Sequence, residues 1–457
     1  MQEISLKKND VLETEIVDIN HRGQGVAKID GFVVFVDDVI MGDQVKIEVV
    51  EVKKKYAIGR LIALLEKSTF RVEPKCKYFW ECGGCQIMHI DYQKQLDYKK
   101  QRVMSDIKRS LADDAIEIHD TIGMQDPYRY RNKGTFPVAS HKGKTAIGAY
   151  KLTTHDIVDL ESCIIQHPIA EVIVNTFRSL MNTLGIAPYD EIRLTGLVKH
   201  LIVKTNKNDE AMLIIVTSKN KLTYKGEIVS ELLKKAPQLK SIILNINDNQ
   251  PNVILGDKYK KLYGESTLED WIYDLEFNIS PSSFFQVNPK QTEVLYNKAI
   301  EYAQIDDTMN VFDIYCGIGT ISLAAAKKAK HVYGIEIVQE AIDDANENAR
   351  KNKIDNIDFH CGKAEEIFPK LHDQGIDADV VIIDPPRKGC EKSLLDTIIK
   401  MQPDRVVYVS CNPSTLARDL KILVDGGYMV VEIQPVDMFP HSVHVETCNL
   451  LVRRSQA

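Results

Sequence analysis

No apolar run in this sequence approaches the roughly 18 residues that a membrane-crossing helix needs, and no positively charged start leads into an apolar stretch. The expectation is a soluble, cytoplasmic protein with no membrane partner and no secretory leader. Internal repeats and low-complexity tracts are also missing, which removes solenoids and disordered linkers. An excess of positive charge is absent as well: 58 Lys and Arg stand against 65 Asp and Glu, a net charge of -7. Such a total speaks weakly against nucleic acid, but it is unevenly spread. Residues 331–380 contain 12 acidic and 5 basic side chains, whereas residues 71–145 contain 10 acidic and 14 basic. The acidic total thus leaves room for a basic surface elsewhere. What the sequence has in quantity is apolar material, 44% of 457 residues. One core cannot absorb it, so two or three domains are expected. Nine cysteines without an export signal suggest reduced thiols, metal ligands or catalysis rather than disulfides.

From Val11 to about Leu64 the short runs VLETEIVDI, GVAKIDGFVVFV, QVKIEVVEV and YAIGRLIAL alternate with the turn signals HRGQG, DG and MGD. That pattern predicts a small five-stranded antiparallel β-barrel over residues 1–68. GQGVAKIDGFVVFVDDVIMGDQV followed by KKKYAIGRL resembles the TRAM domain, which implies an OB-like, RNA-binding barrel. Residues 69–270 carry four of the cysteines and mix helices with strands. They are expected to form an α+β central domain, with about 91–120 packing on the domain that follows. From Trp271 to residue 457, NVFDIY, HVYGIEI, IDFHCG, DVVIIDPP, RVVYVSC, YMVVEIQP and HVETCNLLV alternate with helical segments. This predicts a Rossmann-like, parallel, doubly wound sheet, and a multidomain α/β protein as a whole.

Within that last domain, VFDIYCGIGTISLAAA reads as a strand, a glycine turn and a helix start, where Gly317 and Gly319 let a ligand approach the backbone. Ser322 stands where the dinucleotide fingerprint wants its third glycine, which counts against a nicotinamide cofactor. Glu336 closes the next strand, where a carboxylate can accept from both hydroxyls of a ribose. Asp384 ends VVIIDPPRKG at the carboxyl edge of the sheet, and two prolines stiffen the turn after it. RVVYVSC ends at Cys411, and NPSTLARDL turns into a helix with Ser414 expected as its cap and Arg418 as a cation near the thiol. Glu446 lies in a strand near the carboxyl terminus. A core cysteine and a solvated carboxylate are the plain alternatives for Cys411 and Glu446. Cys316, Cys361, Cys390 and Cys448 read as packing thiols.

SFFQVN, DIYCGIGT, GIE, DPPRKG, SCNPSTLARD and HVETCNLL, in this order, resemble the RNA uridine carbon-5 methyltransferase family over about residues 270–457. The resemblance implies methyl transfer from S-adenosylmethionine to carbon 5 of a flipped-out uridine in structured RNA. It also implies that Gln286, Tyr315, Glu336 and Asp384 line the cofactor and base pocket, with Cys411 as nucleophile and Glu446 as general base. Some relatives have Asn where Thr320 stands. The chemistry asks for these two groups: carbon 5 of uracil is a poor nucleophile until a thiolate adds at carbon 6, and a base must then take the carbon 5 proton.

Cys76, Cys82 and Cys85 stand in CKYFWECGGC, and Cys163 follows after a gap of 77 residues. Four thiolates suit zinc or an iron-sulfur cluster; three clustered cysteines with one distant partner lean toward the cluster, and free thiols stay open. The family resemblance implies a four-iron four-sulfur cluster, as in its ribosomal-RNA members. Together with the barrel it implies 23S ribosomal RNA rather than transfer RNA as substrate, with no obligate protein partner. YRYRNKG interleaves Tyr128 and Tyr130 with Arg129, Arg131 and Lys133, offering planes for bases and charges for phosphates, or else a solvated basic loop. Two rival classes are a non-catalytic RNA chaperone, which predicts a damaged Cys411 or Glu446 site, and a nicotinamide oxidoreductase, which predicts a third glycine.

Overall fold

A computed structural model describes residues 6–111, 116–152, 154–248 and 253–454. The strands Val11–Ile19, Gly25–Ile29, Phe32–Val36, Gln44–Val52 and Tyr56–Glu66 close into a barrel. Period-two alternation drives the closure: Val45, Ile47 and Val49 point inward and meet Ile16, Val34, Val36 and Ala57. The expectation of a wholly antiparallel barrel is corrected at one seam, where Phe32–Val36 runs parallel to Tyr56–Glu66. Parity requires this, since five strands in a closed ring cannot alternate direction all the way round. Closure still removes every sheet edge. At Gly25 a Cβ would lie 2.3 Å from Val39 Cγ2 and 2.8 Å from Ile16 Cγ2, so this strand fits against the barrel interior only because the residue is glycine.

The middle of the chain builds a seven-stranded sheet in the order Lys258–Gly264, Leu239–Ile246, Ala211–Thr217, Val198–Thr205, Lys133–His141, Lys144–Tyr150 and Ile157–Asp159. Ala211–Thr217 is buried along its whole length. The helices Pro168–Thr183 and Lys225–Lys235 cover one face of it through Ile173, Phe177, Ile228 and Leu232.

The last sheet runs Ile357–Cys361, His331–Glu336, Asn310–Ile314, Val380–Ile383, Arg405–Ser410, Glu446–Arg453, Tyr428–Val436 and Glu117–Ile118. Its first five strands are parallel. The expected all-parallel sheet is corrected at Glu446–Arg453, which runs antiparallel to both neighbours. Tyr428–Val436 and Glu446–Arg453 are joined by a short loop without a crossover helix, and such a connection can only make an antiparallel pair.

Helix Tyr92–Leu111 lies on this sheet. Its buried residues Gln95, Lys99, Val103 and Ile107 recur every four positions, one stripe of the helix. Val103 and Ile107 pack with Phe312, Ile314, Leu416 and Leu420. On the same stripe the fully buried Lys99 ammonium pairs with the fully buried Asp437 carboxylate and donates to Phe439 O at 3.0 Å. Tyr92 OH donates to the other Asp437 oxygen at 2.8 Å. Removing one member of such a pair strands a charge without water. Lys99→Met is therefore expected to destabilise the protein by about 3–5 kcal/mol, read as a fall in the urea midpoint, while Lys99→Met with Asp437→Leu recovers most of the loss. Equal midpoints for the single variant and the parent would refute the ion-pair account.

Candidate active site

The parallel strands end along one edge, and the order of the chain reverses there: Asn310–Ile314 is flanked by His331–Glu336 on one side and by Val380–Ile383 on the other. Ligands of open α/β sheets bind at such a switch point. Across the neighbouring antiparallel pair, Ser410 stands opposite Thr447. The next position outward brings together Cys411, just after its strand, and Glu446, the first residue of its own. Asp384 follows Val380–Ile383, the strand beside Arg405–Ser410. Three acidic groups thus share one edge.

Their charges are felt mutually. Burial, then the carboxylates of Glu446 and Asp384, push the Cys411 thiol up to about 12, against the pull of Arg387. Burial and then Asp384 hold the Glu446 carboxyl well above the usual range, again opposed by Arg387. Burial raises Asp384 to about 7. Arg387, quoted in DPPRKG but given no role from sequence, is the cation of this edge. Its loop is tied to the Cys411 turn, because Asn412 Nδ2 donates to Arg387 O at 3.1 Å.

Two local expectations are corrected. The cap of helix Pro413–Asp425 is Asn412, whose side chain accepts from Ser414 N at 3.2 Å; Pro413 occupies the first helical position, so the capping place falls one residue before it. Ser414 instead donates to Asp106 Oδ2 of helix Tyr92–Leu111 at 2.9 Å. Arg418 is turned to the buried Asp419 and to the carbonyls of Lys388 and Cys390, so it braces the Arg387 loop rather than the thiol. Of the four thiols read as packing groups, Cys316, Cys390 and Cys448 are buried, but Cys361 is exposed at a strand end.

Gln286, Tyr315, Gly317 and Asp384 line a cavity of about 50 Å³ together with Phe284, Tyr296, Asp313 and Thr320. Gly317 and Tyr315 both have left-handed backbone, at φ 55° and 67°, which turns the chain sharply around the cavity. Gly319 and Glu336 stand behind this wall. Gly319 caps helix Thr320–Ala326, and a Cβ on it would come within 2.9 Å of Leu323 and Phe359. Glu336 accepts from Gly317 N at 3.3 Å and from Ile337 N and Val338 N at 2.8 and 3.0 Å. Asp313 was not singled out from sequence. Burial, with Asp384 and Glu336 adding to it and Ser322 opposing, raises its carboxyl to about 7, and its Oδ1 has no hydrogen-bond partner.

Cys76, Cys82, Cys85 and Cys163 line a second cavity, of about 350 Å³, with Phe79, Met88, Arg131 and Val287. Gly84 N donates to Cys82 Sγ at 3.4 Å, and the amides of Ile165 and Gln166 act on Cys163. Burial pushes Cys82 up to about 11 and also raises Cys85 and Cys163; the neighbouring thiols add to this, and Arg131 opposes it at the last two. Among the described residues, no three His, Cys, Asp or Glu side chains stand close enough to hold a single metal ion. The YRYRNKG segment is built into this region. Tyr130 is buried and donates to Pro440 O at 3.1 Å, so it presents no face to a base as the sequence suggested, and Arg129 pairs with Glu171. Asn132 of the same segment holds the loop that lines the smaller cavity, donating from Nδ2 to Gln286 O at 3.0 Å and from N to Val287 O at 2.9 Å.

The profile of a family described as tRNA (Uracil-5-)-methyltransferase matches residues 91–454, and that of the TRAM domain matches residues 6–62. The chain is 46% identical over 451 residues to an uncharacterized RNA methyltransferase of Halalkalibacterium halodurans, covering 98% of each. It is 47% identical over 449 residues to another from Caldanaerobacter subterraneus, covering 98% of this chain and 99% of that one. Its fold is similar to the crystal structure of Pyrococcus abyssi tRNA (uracil-54, C5)-methyltransferase in complex with S-adenosyl-L-homocysteine. The TM-score is 0.77 at 25% identity, over 96% of this chain and 100% of that one.

The crowding at Cys411 is open to test without any substrate. Alkylation of Cys411 by iodoacetamide, followed by peptide mass mapping, should accelerate about tenfold per pH unit from roughly pH 7 to 10, because the thiolate fraction grows at that rate below the pKa. Arg387→Ala should slow it at every pH. A plateau near the ordinary thiol pKa would contradict this electrostatic picture.

Proposed function

Because the chain belongs to the tRNA (uracil-5-)-methyltransferase family and carries a TRAM domain, we propose that it methylates carbon 5 of a flipped-out uridine in 23S ribosomal RNA, with Cys411 as nucleophile and Glu446 as general base. The observation that carries this reading is the pairing of Cys411 with Glu446 at the ends of neighbouring strands, beside Asp384 and Arg387. When bound, S-adenosylmethionine supplies an electrophilic methyl group. The cavity suits it, since Asp313 and Asp384 offer carboxylates to a cationic ligand and Gln286 and Tyr315 offer polar walls.

In this reading the Cys411 thiolate adds to carbon 6 of the uracil and leaves an electron pair at carbon 5, which takes the methyl group. Glu446 then removes the carbon 5 proton, and the electrons of that bond expel Cys411 and restore the ring. A carboxylate destabilised by burial is a strong base once ionised, which suits proton abstraction from carbon. Arg387 stabilises each anion at this edge in turn.

We assign Cys76, Cys82, Cys85 and Cys163 to a four-iron four-sulfur cluster. Supporting this are a cavity wider than one ion requires, three amides directed at sulfurs, and the Arg131 cation. Zinc would need four sulfurs at about 2.3 Å from one centre. Methyl transfer moves no net electron, so the cluster would serve as a brace. In the same reading the chain divides into residues 1–68 and 69–270, which hold RNA, and 271–457, which carries the chemistry. Protein purified without oxygen should contain about four irons per chain and lose them in Cys163→Ser; zinc in their place would reject the assignment.

The full-length similarity to an enzyme acting on transfer RNA favours transfer RNA as a second reading of the substrate. The deciding assay incubates wild type, Cys411→Ala and Glu446→Gln with labelled S-adenosylmethionine and unmodified ribosomal or transfer RNA, then digests the RNA to nucleosides. Wild type should place label in 5-methyluridine of ribosomal RNA, and Cys411→Ala should place none. Glu446→Gln should turn over about 10²–10⁴-fold more slowly and accumulate a protein–RNA adduct that survives denaturing gels. Label confined to transfer RNA would shift the substrate, and no label in either RNA would reject the reaction.

A further inference from the structure

We propose that the cleft between the barrel and the cysteine loop binds an unpaired, amino-bearing nucleobase of the substrate RNA, stacked on Trp80. This rests on the reading of the protein as an RNA methyltransferase and adds a second place where the RNA is held.

Trp80 is one of two tryptophans in the chain and is 51% exposed. Leaving an indole in water forfeits one of the larger apolar gains available to a side chain, and Leu152, 49% exposed in the same cleft, extends the indole into an apolar patch of the kind that takes a ligand. The ring is fixed by near-perpendicular contacts with Phe79, centroids 4.8 Å apart, and with the buried His89, 5.5 Å apart. Among the described residues no ring lies parallel upon it, so a stacking partner has room.

The cleft beside it measures about 70 Å³ and is lined by Arg22, Asp37 and Asp38 of the barrel and by Trp80, Glu81 and Leu152. It is too small for a nucleotide but admits the edge of a flat ring. Three carboxylates would repel a phosphate. They accept hydrogen bonds from the exocyclic amine that adenine, cytosine and guanine carry and uracil lacks. A base would therefore enter first, leaving its phosphate outside near Arg22.

Helix Tyr92–Leu111 links the barrel side of this cleft with the catalytic edge. Ser414, three residues after Cys411, is bonded to Asp106 on helix Tyr92–Leu111. Arg102 on the same helix donates to Val443 O at 2.6 Å, three residues before Glu446. Burial, then Arg102 and Arg22, hold the His21 imidazole of the barrel below its usual range, against the pull of Asp106. A single strand with its target at Cys411 would bring phosphates past Arg102 and Arg22.

The test uses full-length protein carrying Trp271→Phe, so that Trp80 is the remaining tryptophan and is excited selectively over the tyrosines. Octamers of adenylate and of uridylate are titrated in separately, and binding of unmodified ribosomal RNA is measured by anisotropy of an end label. Adenylate should quench Trp80 emission at lower concentration than uridylate does. Trp80→Ala should weaken ribosomal RNA binding about tenfold, the loss of one stacked base. Trp80→Phe should restore most of the affinity, and S-adenosylmethionine binding should stay unchanged in both. No quenching, or undiminished RNA affinity in Trp80→Ala, overturns the cleft whatever the methylation assay gives. Quenching with the adenylate preference, in a protein that methylates no RNA, would uphold the cleft and remove only the uridine reading.

Discussion

Asp437 is a carboxylate without access to water, and the segment that leads into Glu446 is held by the buried cation that meets it. Lys99 and Tyr92 bring helix Tyr92–Leu111 against the segment 437–445. A charge pair of this kind tolerates little displacement, because neither partner can turn to solvent instead. The segment is also gripped from the cysteine loop: Gln86 N and Ile87 N both donate to His441 O at 3.0 Å, and Tyr130 donates to Pro440 O. Asn132 performs the same service for Gln286 and Val287 on the cofactor side. The strand that opens at Glu446 and the cavity wall at Gln286 are therefore held by parts of the chain distant in sequence.

That rigidity has an electrostatic purpose. Cys411 would ionise more easily farther from Glu446 and Asp384, and Glu446 farther from Asp384, while Arg387 opposes both repulsions at this edge. The sheet keeps them together because Cys411 and Glu446 close one antiparallel pair and Asp384 closes the adjacent strand. Thiol and carboxyl then both favour the protonated form in the resting protein. The first charge to form there gains most from any cation that arrives, so reactivity is tied to a filled site rather than spent on solvent.

Much of this edge was legible in the sequence because it is local. A strand, a turn and a helix start around Cys411 are read within a dozen residues, and so are the glycine turn at Gly317 and the acid at Asp384. What was hidden depends on register or on tertiary contact. Neither the antiparallel entry of Glu446–Arg453 nor the choice of Arg387 over Arg418 is encoded in spacing. Arg418 has an acidic neighbour, Asp419, which the buried Tyr408 OH and Cys390 N also engage, and this draws the guanidinium away from the thiol. Tyr130 looked like a stacking platform until packing buried it. Asn412 was within reach, since a proline in the first helical position marks the residue before it as the cap.

The parallel seam of the barrel shows the same limit from another side. Each run between Val11 and Glu66 has the alternation of a half-buried strand, and alternation says which side faces inward but nothing about direction. Direction is set by the ring: five members, four antiparallel contacts, and one left over. The leftover contact falls between Phe32–Val36 and Tyr56–Glu66 because Gln44–Val52 is already paired on both sides, with Val11–Ile19 and with Tyr56–Glu66. The loops that follow are then fixed in place. Gly23 packs against Gln86 so closely that a Cβ would come within 2.9 Å, and the barrel is seated on the cysteine loop at the point where that loop meets Val443. The barrel, through Gln86 and Val443, thus supports the segment that leads into Glu446.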